Sequence, residues 1–224
     1  MVEFSDIKGF TFDLDGVITD TAKFHEAAWH DLADDLGIEW SAEIGNHLKG
    51  ISRMASLDMI LATDPQGKQY SQEEKQQLAD KKNAHYRTLI ATVTPDDILP
   101  GIKSFLDDML DKGYTASVAS ASKNAPSILE KLELTSYFVG IVDPATLTHG
   151  KPNPEIFVKA GELLNLQPSQ IIGLEDASAG VEAIKGAGQT ALGIGSAAKT
   201  ANPELWFDKT ENLTLNNIKK QLSV

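Results

Sequence analysis

From residue 102 to residue 194, apolar strand-length runs alternate with helical ones, and a chain punctuated in this way has few folds open to it. The spacing predicts a helix over 102–112 closed by Gly113, a strand over 114–119, a helix over 125–132 and a short strand over 138–142. A helix over 154–164, a strand over 171–174, a helix over 178–187 closed by Gly188 and a strand over 190–194 complete the series. Near the N-terminus Ile7, Phe10 and Phe12 supply the bulk of one further strand, which Gly16 breaks. Such repetition gives a parallel sheet with helices on both faces. Right-handed crossovers then bring every strand's C-terminal end to one edge, where ligands bind in open α/β sheets.

Residues 21–93 interrupt the alternation. Phe24, Ala27, Ala28, Trp29, Leu32 and Leu36 fall at helical spacing and stop at Gly37, and a second apolar run covers 54–61. Ser71 with Glu74 has the form of a capping box for a helix reaching toward Ile90. Residues 94–101, with Pro95 and Pro100 among turn formers, read as a connector. The expected organisation is an α/β core built from 1–19 and 96–224, with a helical domain of 20–95 inserted after the first strand. Trp206 and Phe207 suggest an edge element, and 213–222 a terminal helix.

Composition narrows the chemistry. The net charge of −12 argues against non-specific binding to nucleic acid or anionic membranes, so an anionic substrate would need local positive charge from a few Lys and Arg side chains and a metal. The absence of cysteine excludes disulfides, thiolate catalysis and Cys-zinc sites. A hydrophobic fraction of 42% over 224 residues is ample for a buried core. With neither a signal-peptide pattern nor a membrane-length apolar run, a soluble cytoplasmic protein is expected.

The first strand delivers Asp13 and Asp15, separated by Leu14. An Asp-X-Asp-Gly sequence by itself is often only a turn. Two carboxylates this close repel unless a cation sits between them or one keeps its proton, so the functional reading is an Mg²⁺ site with one carboxylate acting as nucleophile. Other strand ends strengthen that reading. Ser120-Ala121-Ser122-Lys123-Asn124 follows the second strand, Gly150-Lys151-Pro152-Asn153-Pro154 lies in the loop after the third, and Glu175-Asp176 follows the fourth. Singly, Ser120 or Ser122 could cap the next helix and Lys151 could be a solvated charge. Converging at one sheet edge, Asp13 and Asp176 would bind Mg²⁺, with Glu175 helping directly or through water. Ser120 and Lys151 would hold phosphoryl oxygens, while Asp15 exchanges a proton with the leaving and attacking oxygens.

The runs that carry a family likeness are Phe12-Asp13-Leu14-Asp15-Gly16-Val17-Ile18-Thr19-Asp20-Thr21-Ala22, Leu48-Lys49-Gly50-Ile51-Ser52-Arg53, Ala119-Ser120-Ala121-Ser122-Lys123-Asn124, Lys151-Pro152 and Gly173-Leu174-Glu175-Asp176. In this order they resemble the haloacid dehalogenase superfamily, and nearly the whole chain is similar to its sugar-phosphate mutase branch. The resemblance implies a Rossmann-like core with an inserted α-helical cap. It implies that Asp13 is the nucleophile that becomes an aspartyl phosphate. Asp15 would be the general acid/base, its backbone carbonyl also binding the metal beside Glu175 and Asp176. Thr21 and His25 would lie at the hinge and cap entrance, with His25 coupling substrate binding to Asp15 and Trp29 lining the pocket. Lys49, Gly50, Ile51, Ser52 and Arg53 would form the cap's substrate loop; Ile51 stands where the family commonly has Val. Ser120, Ala121, Ser122, Lys123, Asn124 and Lys151 would grip the sugar phosphate. The implied reaction interconverts β-D-glucose 1-phosphate and D-glucose 6-phosphate through β-glucose 1,6-bisphosphate, which serves as activator and intermediate. One Mg²⁺ per chain is implied, in a monomer acting on small sugar phosphates.

Taken residue by residue, the bland readings differ. His25 alone is a half-exposed helix residue, Trp29 a core residue and Arg53 a charge at a helix start. Asp34-Asp35 and Asp107-Asp108 read as solvated helix faces. A sugar-phosphate phosphatase would share the aspartyl phosphate but admit water as the attacking group, whereas a mutase must exclude it. A bisphosphate also demands two cationic grips, Mg²⁺ with Lys151 at one end and Arg53 with Lys123 at the other. A non-catalytic phosphate-binding scaffold has no need of a nucleophile beside an acid/base.

Overall fold

A computed structural model of the chain describes residues 3–48 and 51–223, and these divide into two compact units, Thr21–Thr92 and the remainder, Met1–Asp20 with Val93–Val224. The sequence places the insert at 20–95. In chain order the elements are β1 (Gly9–Phe12), α1 (Ala22–Asp35), α2 (Ala42–His47), α3 (Arg53–Leu61), α4 (Gln72–Leu89), α5 (Ile102–Asp111), β2 (Thr115–Val118), α6 (Ala125–Lys131) and β3 (Gly140–Ile141). They continue with α7 (Glu155–Leu164), β4 (Ile171–Glu175), α8 (Ser178–Gly186), β5 (Thr190–Ile194), α9 (Gly195–Lys199), β6 (Leu205–Phe207) and α10 (Leu215–Leu222).

The six strands form one sheet in the order β3-β2-β1-β4-β5-β6, every neighbouring pair parallel. Strand β1 lies inside the sheet and is buried on both faces, which is why it reads as a continuous apolar run. One face carries Phe10 and Phe12. Phe10 meets Phe105 of α5 edge-on at 5.3 Å, and Phe12 meets Phe138 edge-on at 5.6 Å. Each such buried ring is worth about 1.5–3 kcal/mol. The opposite face packs on α7 and α8 through Ile156, Phe157, Ala160, Val181 and Ile184. Its buried polar groups are satisfied: Thr11 donates to Gln189 at 2.7 Å, Gln189 donates to the Phe157 carbonyl at 2.8 Å, and Ser117 donates to the Ala160 carbonyl at 2.7 Å. The chain moves outward from β1 through β2 to β3, then returns to build β4, β5 and β6 on the other side. Between β1 and β4 the direction of winding reverses, and a ligand crevice forms at such a point.

The Thr21–Thr92 unit is helical, and no strand occurs among its described residues. Trp29, Leu32 and Ala33 of α1 pack with Leu57, Ile60 and Leu61 of α3 and Ala79 of α4. Helix α4 opens with the expected capping box, Glu74 N donating to Ser71 Oγ at 3.2 Å and Ser71 N donating to Glu74 at 2.8 Å. Helix α2 was not anticipated; it is one short stretch opened by Ser41, whose hydroxyl accepts from Ile44 N.

Candidate active site

Backbone pairing carries past the ends of the strands. Asp13 N donates to the Leu174 carbonyl at 3.0 Å, and Ala119 N donates to the Phe12 carbonyl at 2.7 Å. Asp13, Ser120 and Glu175 therefore sit at three adjacent strand ends, all buried. Lys151 arrives from the loop before α7 and is itself buried, its Nζ donating to Asp13 Oδ1 and Glu175 Oε2 at 2.7 Å each. Solvation, the bland reading of Lys151, is excluded by this burial. The loop is shaped by Glu155, whose carboxylate accepts from Thr148 N and His149 N, each at 2.9 Å, and pairs with Lys159 at 3.1 Å. Those backbone donors hold Glu155 down at about 2.

The second oxygen of Glu175 accepts from Asp176 N and Ala177 N at 3.1 Å each, at the entry to α8. Two glycines make room for the acidic pair. A Cβ at Gly16, where φ is +76°, would run into the Asp176 carboxylate, and one at Gly180 would run into that of Glu175. Gly180 was not singled out in the sequence; its only signal there is a glycine inside the first turn of a helix that follows Glu175-Asp176.

Asp13, Glu175 and Asp176 place carboxylate oxygens within 4.8 Å of one another. One ammonium does not balance three carboxylates. Burial pushes Asp13 up to about 7, aided by Glu175 and Asp15 against the pull of Lys151. Burial, then Glu175 and Asp13, pushes Asp176 up to about 8. Burial works against the charge of Lys151, but the two carboxylates outweigh it and raise its pKa. An oxygen-only donor set short of positive charge fits a hard divalent cation such as Mg²⁺. Beside Asp176 a cleft of about 420 Å³ opens outside the ends of β5 and β6, lined by Gly16, Ile194, Gly195, Asp208 and Lys209 among others.

Asp15 lies half-buried just past Asp13, where Gly16 N donates to the Thr19 carbonyl and closes a tight loop. In the loop after β2, Ser120 Oγ accepts from Ser122 N at 3.1 Å and Ser122 Oγ accepts from Asn124 N at 3.2 Å. The loop leaves Lys123 exposed and Ala121 and Asn124 half-buried.

A second polar cluster belongs to the inserted unit. Thr21 is buried at the start of α1, its carbonyl accepting from Phe24 N and His25 N. The His25 ring stacks on Tyr86 at 3.9 Å, and its Nδ1 lies 2.8 Å from Nζ of Lys82. Lys82 is buried on α4, with its ammonium over the rings of Trp29 at 4.5 Å and Tyr86 at 4.8 Å. Burial, then the charges of Lys82 and Arg53, hold His25 well below the usual imidazole range. A neutral His25 accepting at Nδ1 carries its proton on Nε2, as a donor. Trp29 joins the apolar core, as its bland reading has it, and also carries the cation contact with Lys82. Lys82 and Tyr86 were missed in the sequence, because α4 is polar almost throughout and nothing in its periodicity marks one lysine as buried. Ser52 caps α3, Ile51 is half-buried, and Arg53 is half-buried and donates to Asn83 at 2.8 Å. Lys49 and Gly50 lie outside the described residues.

A family model for haloacid dehalogenase-like hydrolases matches residues 7–188. The chain belongs to the haloacid dehalogenase-like hydrolases. Within that family it is 42% identical over 209 residues to a β-phosphoglucomutase of Bacillus subtilis, covering 93% of this chain and 92% of the relative. The crystal structure of a β-phosphoglucomutase from Clostridium difficile superposes with a TM-score of 0.91 at 41% identity, covering 97% of each chain. A phosphorylated carbohydrates phosphatase of Thermotoga maritima is 26% identical over 179 residues, 79% of this chain and 80% of that one. No helix among the described residues is long and apolar enough to cross a membrane.

Proposed function

We propose that this chain is a β-phosphoglucomutase, an isomerase that interconverts β-D-glucose 1-phosphate and D-glucose 6-phosphate. The observation that carries the reading is its likeness, above 40% identity and nearly end to end, to two β-phosphoglucomutases, combined with the buried Asp13–Lys151–Glu175–Asp176 cluster. In this reading an Asp13 oxygen bonds to phosphorus as the bond to the sugar oxygen breaks, and Asp15 gives that oxygen a proton. In the other half-reaction, which precedes it in turnover, the free 6-hydroxyl of β-glucose 1-phosphate gives its proton to Asp15 and takes the phosphoryl group from phosphorylated Asp13, forming the bisphosphate that then turns round. Lys151 and Ser120 hold the phosphoryl oxygens, with Lys151 passing from its carboxylate partners to the anion. Asp13, the Asp15 carbonyl, Glu175 and Asp176 would hold Mg²⁺. That ion, when bound, offsets the repulsion between an anionic nucleophile and an anionic ester. His25, Trp29, Lys82 and the loop through Arg53 bind the sugar phosphate from the insert, with Thr21 at the hinge. Arg53 and Lys123 take the remote phosphate of β-glucose 1,6-bisphosphate. The enzyme works as a cytoplasmic monomer on small sugar phosphates.

The test supplies Mg²⁺, β-glucose 1-phosphate and a trace of the bisphosphate, and follows glucose 6-phosphate and free phosphate separately. Glucose 6-phosphate should accumulate with little free phosphate. Predominant release of free phosphate would replace the mutase with a sugar-phosphate phosphatase.

A further inference from the structure

The inserted unit contains a guanidinium held by an uncharged partner. Arg53 is the first residue of α3, its backbone fixed by the Ser52 cap, whose hydroxyl accepts from Ala55 N at 3.3 Å. Its far end is fixed by a different helix, Nη2 donating to Oδ1 of Asn83 on α4 at 2.8 Å. Both residues are half-buried. Among the described residues no carboxylate lies within ion-pair distance of Arg53; Asp80 acts on it only from farther away. The arrangement contrasts with the nearby surface of the same unit, where Lys75 pairs with Asp58 and Lys81 with Asp35, each at 2.7 Å.

A carboxylate at position 83 would orient the guanidinium equally well but cancel its charge. A neutral carbonyl oxygen orients it and leaves the full positive charge for a ligand. Holding a long side chain in advance also removes part of the ordering cost of binding. We propose that Asn83 is a positioning residue for anion recognition: it aims the Arg53 guanidinium at the remote phosphate of a doubly phosphorylated sugar without neutralising it. The inference rests on Arg53 being that grip.

The test titrates β-glucose 1,6-bisphosphate calorimetrically into the full chain carrying Asp13→Asn, which blocks turnover, with inorganic phosphate as the control ligand. Asn83→Ala should weaken the bisphosphate by about tenfold, as expected for loss of one charge-assisted hydrogen bond. Asn83→Asp, which is isosteric, should weaken it at least as much, and neither should alter the affinity for inorganic phosphate. In an Arg53→Ala background Asn83→Ala should add nothing, because the two act as one unit. Wild-type bisphosphate affinity in Asn83→Asp would overturn the proposal, and so would additive losses from Asn83→Ala and Arg53→Ala. If Arg53→Ala alone leaves bisphosphate affinity intact, the grip itself is misassigned and the proposal falls with it. Loss in Arg53→Ala without loss in either Asn83 variant refutes the positioning role alone.

Discussion

The two polar clusters of this protein are opposites in charge and alike in design. In the α/β core three carboxylates crowd around one lysine, and burial drives two of them up to about 7 and about 8. In the inserted unit Lys82 and Arg53 crowd around one histidine, and burial with their charge drives its imidazole down. Each unit gathers charges of one sign in a desolvated place, at a cost that a ligand of the opposite sign would offset. In the proposed function that ligand is a divalent cation for the core and a phosphate for the insert. The lesson is that the unbalanced cluster, more than any single residue, marks a binding function.

The comparison breaks most sharply at Asp13. Asp13→Asn should lower glucose 6-phosphate formation ~10⁴-fold or more while the protein stays folded, because the change removes the proposed nucleophile and also relieves charge crowding. A variant that retained a tenth of the activity would move the chemistry elsewhere. Metal removal probes the same excess of negative charge. Because Asp13 and Asp176 titrate near 7 and 8 when folded but near 3.8 when unfolded, the folded metal-free chain binds more protons in between, and its stability falls as pH rises. His25, held neutral, opposes this only below its ordinary value of 6.5. From pH 6.5 to 8 the melting temperature of EDTA-treated protein should drop by roughly a few degrees. Mg²⁺ should restore it more at pH 8, along with activity. A flat profile would show that the carboxylates are not short of positive charge.

On the insert's side, Lys82→Met should raise the His25 pKa, read from its ring proton shifts, since one of the charges lowering it is gone. kcat/KM should fall about 10–100-fold through misplacement of the imidazole. An unmoved His25 titration would separate the two residues. A smaller effect is expected at Glu155→Gln, which slackens the loop that brings in Lys151. kcat should fall severalfold with little change in the KM for glucose 1-phosphate. The smallest comes from the exposed Lys81–Asp35 pair, whose charges are balanced and solvated; Lys81→Ala should leave activity and melting unchanged.

Regions differ in how far the sequence revealed them. Strands β1, β2, β4 and β5 were visible because buried parallel strands are written as short apolar runs between glycines. Edge strand β3 shrinks from the expected 138–142 to two residues, since it pairs only with β2, although Val139 N and Val142 N still donate to that strand's Ala116 and Val118 carbonyls. The five-residue helix α9 was invisible for the same reason as α2: each is too short to show a period. The solvated readings of Asp34-Asp35 and Asp107-Asp108 hold, these residues lying on exposed faces beside lysines or a histidine.

Sequence by itself determined that Asp13, Ser120, Lys151 and Glu175-Asp176 would meet, because parallel topology forces strand ends to one edge whatever the details of packing. It could not determine the joining of His25 to Lys82, 57 positions apart, or of Arg53 to Asn83, 30 apart. Helical spacing tells which face of a helix is buried, but the partner across that face is chosen by how α1, α3 and α4 pack. That choice depends on the fit of many side chains at once, so only the tertiary structure decided it.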